Sequence, residues 1–158
     1  MTLPETLLAR LSDWRPTGAG RQSWCETFPA AGWTVQLLAD RTDSLSCLVW
    51  ELILTRTVSP PPGLTLKAWA AGIAERVTGL LEPLRLHEVD DTRHEAILRS
   101  EAPTQKGDTV AYYEVRLNGL DTAVVRRFTA NKTASGRTQV AYALTHEVLA
   151  KLVGDIAG

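Results

Sequence analysis

Asn118-Gly119 stands between two runs of alternating side chains, 109–117 and 120–130. A tight two-residue turn needs positive φ at both central positions, and Asn-Gly meets that demand with little strain. The pair therefore predicts an antiparallel hairpin, and with it a sheet whose strands meet through short connections. Such a turn also fixes register. It sets Leu117 opposite Leu120, Val115 opposite Thr122 and Tyr113 opposite Val124 on one apolar face. On the other face Arg116 opposes Asp121, Glu114 opposes Ala123 and Tyr112 opposes Val125.

Five further strands follow from period-two patterning. Trp33, Val35, Leu37 and Ala39 alternate with Thr34 and Gln36, a half-buried strand over 33–39. Residues 46–55 differ in kind. Leu48, Trp50, Leu52 and Leu54 line one face, while Cys47, Val49 and Ile53 line the other, interrupted only by Glu51. A strand apolar on both faces is expected in a sheet covered on both sides or at an interface. Residues 84–89 and 94–100 form a hairpin around Asp90-Asp91-Thr92, and 138–143 a last strand.

Helices are announced by their caps. Thr2 with Glu5 three residues on is a capping box, followed by the stripe Leu7, Leu8, Leu11 and Trp14. Thr65 caps a central helix of about five turns carrying Leu66, Trp69, Ala70, Ile73, Val77, Leu80 and Leu81, and Pro83 ends it. Thr145 caps a final helix with Val148, Leu149, Leu152, Val153 and Ile156 on its stripe. Pro16, Gly18 and Gly20 open a loop, Trp24-Cys25 falls in an irregular segment, and Pro60-Pro61-Pro62 is a stiff connection. The expectation is a single α+β domain, 1–158. Its mainly antiparallel sheet has six to seven strands, with an N-terminal, a long central and a C-terminal helix.

Composition narrows the function. The 158 residues carry 17 Lys+Arg against 18 Asp+Glu, a net charge of −1 that removes the general electrostatic case for a nucleic-acid partner. No apolar run reaches the ~18 residues of a membrane span, and Met1-Thr2-Leu3-Pro4-Glu5 lacks the basic start of a secretory signal. The two cysteines cannot form a disulfide framework. A cytoplasmic location is expected.

Each candidate for chemistry has a structural explanation. His87 and His94 lie among Glu88, Asp90, Asp91 and Glu95, a set able to hold a divalent cation if the side chains converge. A three-residue turn at 90–92 pairs Leu86 with Ala96 and Leu84 with Leu98. It sends the two histidines to opposite faces, so no metal is expected. His146, at a helix start, is disfavoured as a cation and has no neighbouring nucleophile. Cys47 lies in an apolar strand, and nothing in the sequence places a histidine beside Cys25. Gly18-Ala19-Gly20 lacks the context of a phosphate loop. Arg116, Arg126, Arg127, Lys132 and Arg137 accompany Tyr112, Tyr113 and Phe128, yet Arg126 and Arg127 point to opposite faces, which argues against a base-stacking platform. Trp33, Trp50 and Trp69 fit apolar stripes. No cofactor and no catalytic residue is read from the sequence.

Apolar residues on both sheet faces exceed what three helices cover. Val49, Ile53, Tyr112 and Val125 project opposite to the richer stripes of their strands. They are the candidate partner-binding residues, for a homodimer or a protein client. The function expected is a non-enzymatic binding or adaptor domain. The alternative is a small-ligand-binding domain, or an unusual enzyme, with an aromatic-lined pocket between the long helix and the sheet. The order helix, strands, helix, strands, helix resembles the small chaperones of type III secretion. That resemblance implies dimers that bind extended segments of client proteins.

Overall fold

The computed structural model describes every residue, Met1–Gly158. Thr2, Thr65 and Thr145 start three helices, their hydroxyls accepting from the backbone N–H of Glu5, Ala68 and Val148. The helices are α1 (Leu3–Asp13), α2 (Leu66–Arg76) and α3 (His146–Ala157). Ten strands join them: β1 (Gln22–Phe28), β2 (Trp33–Thr42), β3 (Ser46–Arg56), β4 (Leu84–Asp90), β5 (Glu95–Ser100), β6 (Thr104–Lys106), β7 (Thr109–Asn118), β8 (Thr122–Asn131), β9 (Arg137–Val140) and β10 (Tyr142–Thr145).

All strand pairs are antiparallel. The main path runs β1-β2-β3-β8-β7-β5-β4. β3 and β8 pair only over Leu52–Thr55, and beyond that they part. The segment 137–145 fills the gap as a V, with β9 on β8 and β10 on β3. The sheet is thus larger than the six to seven strands expected. β1 was hidden because Trp24, Glu26 and Phe28 face the helices with a carboxylate among them, which breaks the apolar alternation. The central helix is three turns rather than five. It stops at Arg76, with Val77 N–H bonded to Ile73 O, and Leu81 stands exposed. Val77 and Thr78 are β-branched and Gly79 follows, so nothing local sustains the helix while the chain turns into β4.

Two hairpin registers also differ from expectation. Asn118 pairs with Thr122 and Leu117 with Ala123, so the connection is Gly119-Leu120-Asp121, with Gly119 at φ 57°. Neighbouring strands hold that loop: Gly119 N–H donates to His94 O, Arg56 Nε–H to Leu120 O and Arg56 N–H to Asp121 O. In β4–β5, Leu86 pairs with Leu98, and His87 is the extra residue of a bulge. The turn extends to His94, at φ 53°, while Asp90 accepts from Thr92 and Arg93 N–H.

One apolar core lies between the sheet and all three helices. Trp33, Val35 and Leu37 from β2, Leu52 and Leu54 from β3, and Tyr113, Val115 and Leu117 from β7 face Leu7, Leu11, Trp69, Ile73, Leu149 and Leu152. α1 and α3 approach closely at Gly154, where a Cβ would come within 2.5 Å of Pro4 Cγ. Trp69 Nε1–H donates to Ile156 O and ties α2 to α3.

Candidate interaction surface

The sheet face away from the helices is set by two irregularities. In the β2–β3 ladder Leu38 pairs with Glu51 and Ala39 with Val49, so Trp50 is skipped and the phase of β3 flips. Cys47, Val49, Leu52 and Leu54 therefore all enter the core, while Leu48, Trp50 and Ile53 lie half-buried opposite. The register of β7–β8 turns Ala123, Val125 and Arg127 inward and leaves Val124 and Arg126 outward.

These phases correct half of the expected partner-binding set. Val49 and Val125 are 0% exposed within the helix-side core and present nothing to a partner. Ile53 and Tyr112 do lie on the opposite face, half-buried and outside that core. Trp50, Val124 and Phe128 join them there. Phe128 is buried yet does not belong to the main core, and its ring is 6.0 Å from Tyr112. Strict alternation along β3 would place Trp50 on the stripe of Leu48, Leu52 and Leu54. The signal that could have found it is Glu51, a carboxylate that an uninterrupted alternation would place among apolar side chains.

Arginines overlie the aromatic rings of this face. Arg21 stacks 3.7 Å from the Trp50 ring centre and Arg137 3.7 Å from that of Phe128. In both the guanidinium itself lies over the ring, a cation–π contact that covers one face of the aromatic. Arg126 Nε donates to Glu51 at 2.6 Å, and Glu114, buried, receives both Arg99 at 3.3 Å and Arg137 at 3.1 Å. Arg127, in contrast, crosses into the core. It forms a two-armed ion pair with Glu82, 3.0 Å at each oxygen, while Ser100 and Thr104 donate to the same carboxylate. Burial pushes the Glu82 carboxyl up, but these donors outweigh it and hold it below the usual carboxylate range.

The remaining candidates resolve as follows. His87 lies against Arg99, its Nε2 3.3 Å from Nη1, while His94 sits exposed in the turn. Thr42 Oγ1 lies between Cys47 Sγ at 3.2 Å and His146 Nε2 at 3.4 Å. Burial raises the Cys47 thiol and lowers the His146 imidazole, so both are held neutral, the reverse of an activated thiolate–imidazolium pair. Cys25 is exposed on β1. Between α2 and the sheet the side chains of Trp69 and Ile73 are buried in the core. A cleft of about 490 Å³ opens instead beside β10, lined by Tyr113, Tyr142 and Leu80. The Tyr142 hydroxyl is buried without a hydrogen-bond partner, and its ring meets Tyr113 edge-on at 5.5 Å.

No family model matches the chain, and no curated protein or solved structure does either. No helix is long and apolar enough to cross a membrane.

Proposed function

We propose that this chain is a non-enzymatic protein-binding module of the adaptor or chaperone kind, engaging its partner through the sheet face opposite the helices. In the simplest arrangement the partner is a second copy, related by a two-fold axis. The observation that carries this reading is the one-sided placement of the helices. They cover one face, while Trp50, Ile53, Tyr112 and Val124 stay half-buried on the other. Fully burying one such side chain contributes roughly 1.5–3 kcal/mol, so a matching surface recovers part of that for each. A reducing, cytoplasmic setting belongs to the same proposal, since Cys25 is a free, exposed thiol.

Sedimentation velocity tests it. The expected result is a dimer for the native chain and a monomer for Ile53→Glu, with far-UV circular dichroism unchanged. A native chain that stays monomeric up to millimolar concentration rejects self-association through this face. The small-ligand alternative is favoured by one feature, the partnerless Tyr142 hydroxyl beside the β10 cleft.

A further inference from the structure

We propose that a cleft at the β4–β5–β7 end of the helix-free face binds an oxyanion, a carboxylate or a phosphate monoester, between Arg85, His87 and Arg99. The inference goes beyond the partner-binding reading and does not depend on it, because the charge imbalance belongs to the single chain.

Arg85 and Arg99 are directly opposite in the β4–β5 register. Like charges in that relation destabilise a sheet unless something neutralises them. Arg85 forms no ion pair. Arg99 has only Glu114, which it shares with Arg137. One buried carboxylate thus serves both Arg99 and Arg137, and Arg85 beside Arg99 has none. Glu101 also lines the cleft but lies beyond ion-pair distance of both arginines.

The bulge at His87 supplies the third group. The extra residue brings the imidazole to 3.3 Å from Arg99 Nη1. A guanidinium only donates, so His87 Nε2 accepts, and the ring proton stays on Nδ1 as a further donor. Bulges commonly re-aim a side chain in this way. The Tyr112 ring, 5.5 Å from Arg99 Cζ, backs the guanidinium, and about a third of the Arg99 side chain remains accessible. The cleft is about 350 Å³, with Val110 and Tyr112 as its apolar wall. That suits a small anionic group on a short apolar body, gripped by the planar donor fork of arginine.

Two-dimensional NMR of the arginine Nε–Hε and histidine ring signals tests the site in the full chain. Inorganic phosphate and glutarate are the titrants, with sodium chloride at matched ionic strength as control. Saturable shifts at Arg99 and His87 are expected. Saturation by phosphate alone assigns a phosphate monoester, and saturation by glutarate alone assigns a carboxylate. Arg85 is exposed, so Arg85→Gln is expected to fold, to weaken binding at least tenfold and to raise the melting temperature of the anion-free protein by removing the repulsion. Shifts that only follow ionic strength overturn the proposal. So does an Arg85→Gln variant that binds as the native chain does, or one that melts lower. Loss of dimerisation in Ile53→Glu bears on the partner-binding reading alone, so the two fail separately.

Discussion

Val124 and Val125 are chain neighbours in opposite environments, and a glutamate at each tests the phase of the sheet. Val125 is 0% exposed among Val115, Leu52 and the helix-side core. Removing its buried side chain costs roughly 1.5–3 kcal/mol. A carboxyl in its place has its pKa raised by about 3–5 units, so at pH 7 the fold holds it protonated, at about 1.36 kcal/mol for each pH unit above about 4.3, or about 4 kcal/mol. The total, about 5–7 kcal/mol, is comparable to the whole stability of a typical domain, about 5–15 kcal/mol. Val125→Glu is therefore expected to be largely unfolded at pH 7. The folded form binds the extra proton more tightly, so the penalty relative to the native chain is full above the raised pKa. It fades as pH falls toward about 4.3. Val124 faces outward opposite Arg116, where a glutamate gains an opposite-charge neighbour worth at most about 1 kcal/mol. Val124→Glu is expected to melt within roughly 4 °C of the native chain. Circular dichroism melts of both variants at pH 7 and pH 5 decide the matter. If Val125→Glu folds normally and Val124→Glu unfolds, the hairpin has the two-residue register with Leu117 opposite Leu120, and the core described above is wrong.

Two further outcomes follow from the buried polar groups. Arg127→Met strands the Glu82 carboxylate and is expected to cost about 3–5 kcal/mol in urea denaturation, whereas the double change Arg127→Met with Glu82→Leu recovers much of that; a double variant no more stable than the single would show that the pair is not a coupled unit. Because the Glu82 carboxyl is held low and the His146 imidazole is also depressed, stability is present above the unfolded-state values and is lost as pH falls through the folded ones, first for the imidazole below about 6.5 and then for the carboxylate below about 4.5. A thiol reagent is expected to label Cys25 at once and Cys47 only on unfolding, since Cys47 is buried and its thiol is raised; two fast-reacting thiols in the native chain would contradict its placement.

The sequence by itself determined what depends on neighbours along the chain. The starts of α1, α2 and α3 were legible because a threonine hydroxyl reaches the backbone N–H three residues on, whatever the rest of the molecule does. The existence of the hairpin at Asn118-Gly119 was legible for a similar reason, as Gly119 does occupy positive φ. The antiparallel α+β class followed from short connections between alternating runs. The tertiary structure alone decided phase. The period of a strand is two, so one extra residue at Trp50, at His87 or in the Gly119–Asp121 loop exchanges the faces of everything beyond it. Each of those residues is placed by partners distant in sequence: Trp50 by the β2 ladder, the loop by Arg56 and His94. That is why Val49 and Val125 belong to the core although local alternation set them with Ile53 and Tyr112. It is also why the opposed pair Arg85 and Arg99 becomes visible only when β4 and β5 are aligned.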